Sequence, residues 1–106
     1  MSPRSVLHIL GHALIPALVA RLVWPRAWLG SWLLMVGANL VDLDHLLADP
    51  IYDPNRCSIG FHPLHSLPAI FVYLLMFVPR RARVLATGLL LHMMWDQVDC
   101  WWMTLE

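Results

Sequence analysis

The stretch LLLHMMWDQVDC, residues 89–100, decides how the chain folds, because it places His92, Asp96 and Asp99 on one stripe of an otherwise apolar helix. Residues four apart share a helical face, and Asp99 continues the stripe of His92 and Asp96. An ionisable residue inside an apolar helix needs a partner, a cavity or an ion, since a lone charge at mid-bilayer costs about 2.5–3.5 kcal/mol on insertion scales. The rest of the chain supplies the context for that stripe.

The chain has 106 residues, enough for one domain, with 59% hydrophobic and 13% charged residues. That balance is far from an ordinary soluble domain and points to a membrane protein. The formal charge is zero and all seven basic residues are arginine, with no basic block to follow a nucleic-acid backbone. Nucleic acid is therefore excluded as the expected partner, and the lipid bilayer takes its place.

Four apolar segments are bounded by turn formers and arginines: residues 6–24, 27–47, 64–78 and 84–103. The first two are close to the roughly 20 residues that cross a hydrocarbon core as helix. Ser66 is the expected N-cap of the third, with Pro68 tolerated in its first turn. The joints WPRAW (24–28) and PRRAR (79–83) are brief, so the expected fold is all-α: a four-helix transmembrane bundle of two antiparallel hairpins in a single domain spanning 1–106. The long connection, residues 49–63, is rich in turn formers. A signal peptide is the rival reading of residues 1–20, but His8 and His12 interrupt its apolar stretch and no convincing cleavage site follows.

Arg21, Arg26, Arg80, Arg81 and Arg83 lie in or beside the short joints, whereas Arg4 and Arg56 lie on the opposite side. The positive-inside rule then predicts a multi-pass protein of the bacterial inner membrane with both termini and the long loop outside. Trp24 and Trp28 would form an inner aromatic belt and Trp101 and Trp102 an outer one, or else pack helices.

With this topology the ionisable residues fall at one depth. His8 and His12 lie in the outer half of the first helix, Asp42, Asp44 and His45 at the outer end of the second, and His62 and His65 at the outer start of the third. On the fourth helix, at about 1.5 Å per residue, His92 lies roughly 12 Å and Asp99 roughly 22 Å from Val84. His8 with His12, and Asp42 with His45, share faces; Asp44 is offset by about 200° on an ideal α-helix and is expected to point elsewhere unless the helix ends there. The expected ligand set is His8, His12, Asp42, His45, His62, His65, His92 and Asp96.

Imidazole with carboxylate suits a divalent cation, with zinc placed first and iron or manganese as alternatives, as one or two ions. Each histidine alone reads as interhelical hydrogen-bonding glue; it is the coincidence of depth and face that points to a metal. Asp44 and Asp99 are the candidate bases. Asn39 reads as polar glue or a support for a ligand, Asp49 and Asp53 as turn residues, and the methionines as packing. Arg56 is either a solvated loop charge or an anion clamp for substrate above the site. Cys57 and Cys100 both fall on the oxidising side, so a disulfide pinning the loop over the site is expected; free thiols and cysteine ligation are the alternatives.

The order HILGH, NLVDLDHL, FHPLHS and LLLHMMWDQVDC resembles the small bacterial inner-membrane proteins grouped as predicted membrane-bound metal-dependent hydrolases, and more closely a compact four-helix branch carrying DPNRCSIGFHPLHS. The resemblance covers nearly the whole chain and extends, more distantly, to the zinc-dependent phospholipase C and single-strand nuclease architecture. It implies that Asp42, Asp44 and His45 form a DxDH element, His62 and His65 an element ending in HS, His92 and Asp96 an HxxxD, and His8 and His12 the N-terminal ligands. Pro63 and Leu64 stand where that group usually has Arg and Gly.

The expected activity is metal-assisted hydrolysis of a phosphoester or other ester of a lipid or amphiphile at the outer face of the membrane. A bis-histidine haem bundle for electron transfer and a metal or proton conduit are the alternatives. A homodimer through an apolar outer face is compatible with the same sequence.

Overall fold

The computed structural model describes residues 2–106. Four α-helices run Pro3–Val23 (α1), Trp28–Gly37 (α2), Leu67–Leu75 (α3) and Arg83–Thr104 (α4), and there is no strand among the described residues. The chain is therefore all-α, as its composition implies.

Local signals account for the helix starts. Ser2 accepts a hydrogen bond from the Ser5 amide at 3.1 Å, with Pro3 opening the first turn of α1. Ser66 caps α3 by accepting from the Ala69 amide at 3.5 Å, with Pro68 in the first turn, as the sequence predicts. At the α1–α2 joint the Arg21 guanidinium lies 4.8 Å over the Trp28 ring, a cation–π contact.

Two expected boundaries change. The second segment does not stay α-helical to residue 47; after Gly37 it tightens into a 3₁₀ helix, Ala38–Leu47. Three residues per turn make positions three apart eclipse, so Asn39, Asp42 and His45 form one row and Leu40, Leu43 and Leu46 another. The leucine row is exposed, at 69%, 61% and 66%, which leaves the polar row to face inward. The third segment is also shorter than expected: α3 holds nine residues, preceded by a 3₁₀ turn over Pro63–His65. Only α1, among the described residues, is both long enough and apolar enough by composition to cross a membrane.

Helices α1, α2 and α4 pack mutually, and α3 lies against α4. Gly88 lets α4 approach α2 closely, since a Cβ there would stand 2.6 Å from the Met35 Cα; at Gly11 a side chain would collide with the Trp95 indole. Trp95 and Trp32 pin α1 by donating to the carbonyls of His8 at 2.8 Å and Ala13 at 2.9 Å. The apolar core is a small cluster of Ala38, Tyr73, Leu89 and Met93. Beside it the buried side chains are polar: Arg4, Asp44, His62, His65, His92 and Asp96.

Candidate metal centre

The 3₁₀ row, the Pro63–His65 turn and the α4 stripe meet at the open end of the bundle. There His65 Nε2, His92 Nε2, Asp42 Oδ1 and Asp96 Oδ2 converge on one point. His65 Nε2 lies 3.1 Å from His92 Nε2, 3.2 Å from Asp42 Oδ1 and 3.1 Å from Asp96 Oδ2; His92 Nε2 lies 3.1 Å from Asp42 Oδ1 and 3.2 Å from Asp96 Oδ2. A tetrahedral ion with bonds of about 2.0 Å has donor–donor edges of about 3.3 Å. Those five separations match edges of that polyhedron, and all four atoms lie within 4.8 Å of one another.

Hydrogen bonding behind the ligands sets their tautomers. His92 Nδ1 donates to Asn39 Oδ1 at 2.8 Å, and His65 Nδ1 donates to Asp44 Oδ2 at 3.0 Å. With the ring protons held there, both Nε2 atoms present lone pairs to the convergence point, the usual arrangement around metal-bound histidine. Asp96 Oδ2 is buried and accepts no hydrogen bond of good geometry. Two imidazole lone pairs and two carboxylate oxygens aimed at one another are mutually repulsive unless a cation lies between them, so these four residues could hold a metal ion.

A second group shares Asp96. Its Oδ1 lies 2.9 Å from His12 Nε2 and 3.2 Å from His8 Nε2, which are 3.4 Å apart. His8, His12, Asp42 and Asp96 border a cleft of about 360 Å³ whose wall also includes Ile9, Asn39 and Tyr52. A third group, Asp44, His45 and His62, lies on the other flank, with the His45 and His62 rings stacked at 3.8 Å. Burial, and then the neighbouring His45, hold the His62 imidazole below the usual histidine value, which keeps it neutral.

The structure thus brings all eight expected ligands into three linked groups and places the two candidate bases, Asp44 and Asp99, beside them. Asp44 does not point away: it is buried, its Oδ2 accepts from the Leu64 amide at 2.9 Å and from His65, and its Oδ1 lies 3.1 Å from His45 Nδ1. Both of its oxygens are thus engaged by neighbouring donors, which holds His65 and His45 in place. The 3₁₀ winding, at about 120° per residue, is the reason, because it turns Asp44 inward where an α-helix would not. Asp99 sits 3.9 Å from His8 Nδ1 and 3.5 Å from the Arg4 guanidinium. It borders a polar cavity of about 30 Å³, large enough for water, together with His8, His45, His62 and Arg56. Arg56 reaches this cavity from the loop, donating to the Ile51 carbonyl at 3.1 Å with its guanidinium 4.7 Å over the Phe61 ring.

Sequence reasoning passed over Arg4, which is 4% exposed and donates to the Pro54 carbonyl at 2.6 Å, tying α1 to the long loop. The role of Asn39 is also sharper than expected. Pro16 lacks the amide that would bond the His12 carbonyl within α1, and the Asn39 side-chain amide reaches that carbonyl at 3.4 Å. One residue thereby links the backbone at His12 to the ring of His92. The Cys57 and Cys100 sulfurs lie at bonding distance, their Cα atoms 5.1 Å apart, so the loop is fastened to α4 beside the site.

Neither a curated protein nor a solved structure matches the chain. Residues 3–103, nearly all of it, match the profile of a family of unknown function, DUF6122, and the chain belongs to that family.

Proposed function

We propose that this protein is a membrane-embedded metal-dependent hydrolase acting on a phosphoester or other ester of a lipid or amphiphile at the outer face of the bacterial inner membrane. One observation carries the reading: four donor atoms from three elements, the 3₁₀ helix, the Pro63–His65 turn and α4, meet at separations that suit a tetrahedral ion. Mixed nitrogen and oxygen donors at these separations fit zinc first, then iron or manganese. The same donor set resembles that of the predicted membrane-bound metal-dependent hydrolases, which supports placing the chain's chemistry with theirs.

An inverted distribution of polarity supports the membrane. Leu14, Leu18, Leu22, Leu29, Leu33 and Leu43 are exposed, each more than half, while Arg4, Asp44, His62, His65, His92 and Asp96 are buried. Such a surface suits lipid and is disfavoured in water. The molecule is 39 Å in its longest dimension, enough to traverse a hydrocarbon core of about 30 Å. Helix α3, at about 13 Å, reaches less than half that depth and packs on α4 instead of spanning independently. The arginines of the short joints orient the bundle with its metal centre outward.

A divalent ion at the centre would supply Lewis acidity, lowering the pKa of water towards 7 and polarising an ester oxygen. His65, His92, Asp42 and Asp96 would hold an ion, with Asn39 and Asp44 keeping the imidazoles in the binding tautomer, and His8, His12 and the second oxygen of Asp96 are the donors that border the open cleft, where water and substrate have access. Asp99 is the carboxylate placed to accept the proton of the attacking water, with Arg4 beside it to stabilise its charged form. Arg56, over the polar cavity, is positioned for an anionic group of the substrate. The cleft at Ile9 and Tyr52 suits an apolar chain entering from the side.

The rivals fit the geometry less well. The rings of His12 and His92 stack at 4.1 Å, too close for a porphyrin between them. A conduit would need ionisable groups towards the arginine joints, where the buried residues are Ala20, Ser31 and Ala86. The test is turnover of a fluorogenic amphiphilic phosphodiester by protein in nanodiscs. Chelation should abolish it, zinc should restore it, and the His92→Ala variant should lack it. Undiminished turnover by metal-free protein would overturn the reading.

A further inference from the structure

Asp96 is the one ligand that belongs to two groups, and its two oxygens divide cleanly between them. Oδ2 completes the four-donor set, while Oδ1 faces His8 and His12. The three atoms His8 Nε2, His12 Nε2 and Asp96 Oδ1 have separations of 3.2, 2.9 and 3.4 Å, close to the edges of one tetrahedral face around an ion with bonds of about 2.0 Å. Among the described residues no fourth donor joins this group, and its three residues border the wide cleft. Three protein ligands with an open fourth position are the pattern of a catalytic ion, whereas four protein ligands close a structural one.

Charge balance calls for bound cations here. Asp42, Asp44, Asp96 and Asp99 surround the two imidazole pairs, while the buried cation beside them is Arg4. The carboxylates outnumber that buried cation, so the region favours added positive charge, and the geometry of the two donor groups sets how many ions it takes.

We infer that the protein binds two divalent cations, with Asp96 as the bridging carboxylate: one held by Asp42, His65, His92 and Asp96, the other by His8, His12 and Asp96 with an open position towards the cleft. This rests on the metal site of the preceding reading and not on hydrolysis. Carboxylate-bridged ions in such centres lie about 3.5–4 Å apart, near enough for magnetic coupling.

The experiment is manganese titration of full-length protein in nanodiscs, followed by equilibrium dialysis and electron paramagnetic resonance. Two ions per chain and an exchange-coupled spectrum at saturation are expected. A His8→Ala/His12→Ala variant should bind one ion and show an uncoupled six-line signal. One ion per wild-type chain with an uncoupled signal would overturn the inference, identifying His8 and His12 as hydrogen-bond donors to Asp96; so would a coupled pair surviving in the double variant. The wild-type result decides the matter even if the variant fails to fold. Two coupled ions without turnover would leave this inference standing and remove the hydrolase, and one ion with metal-dependent turnover would do the reverse.

Discussion

The two donor groups that share Asp96 are built differently. In the four-donor group each imidazole is braced from behind, His92 by Asn39 and His65 by Asp44. In the three-donor group the Nδ1 atoms of His8 and His12 have no hydrogen-bond partner, and the residues border the open cleft. Bracing fixes ring orientation and tautomer before an ion arrives, which favours tight binding. Openness leaves a coordination position for substrate or water, which favours reaction. On the proposed function the contrast gives retention to one group and chemistry to the other, and it can be broken residue by residue.

Removing the shared ligand should have the largest effect. Asp96→Ala should weaken metal binding at both groups by at least about 100-fold, beyond the range for loss of a supporting residue, measured by elemental analysis after dialysis against a weak chelator. Retention of one full equivalent would show that the groups are independent. Opening the disulfide comes next. The loop it closes spans a sequence separation of 43 and delivers His62 and His65. Cys57→Ser should lower unfolding stability by about 2–4 kcal/mol and loosen the four-donor group, with His8 and His12 unaffected because α1 carries them.

Removing one brace is a smaller change. Asn39→Ala should reduce affinity at the four-donor group by about 10–100-fold while sparing the other, resolved as a change in only one phase of a two-phase competition titration. An equal loss in both phases would show that the Asn39 contact to the His12 carbonyl matters as much as its contact to His92. Gly88→Ala should have the least effect on metal. Its Cβ would press on Met35 and force α2 and α4 apart, costing about 1–3 kcal/mol of stability with a modest drop in affinity at the group spanning Asp42 and His92. Thermal unfolding in a fixed detergent would read the first and the competition titration the second.

The histidines and aspartates of the centre were legible because periodicity and segment polarity carry that information along one chain. HxxxH and HxxxD spacings put ligands on single faces, and their position at matching ends of alternating helices put them at one depth. Ser66 as a cap and the pairing of Cys57 with Cys100 could be read in the same way. The inward turn of Asp44 hung on whether the α-helix ended before it; α2 ends at Gly37 and a 3₁₀ helix follows, which spacing alone does not fix. Asn39 was seen only as glue or support, because its tie to α1 depends on the carbonyl that Pro16 frees on a neighbouring helix. Arg4 was counted as a charge near a terminus, and nothing in its local sequence signals burial under the long loop.

The sequence by itself determined the helical class, the apolar exterior and the level at which ionisable side chains gather, since these follow from spacing and composition within each segment. Only the tertiary structure decided which donors converge and which residues brace them. Those roles depend on 3₁₀ winding, on how closely Gly88 and Gly11 let neighbours approach, and on the two oxygens of Asp96 facing different helices. A shift of about 1 Å in any of these would change the coordination without altering a single residue.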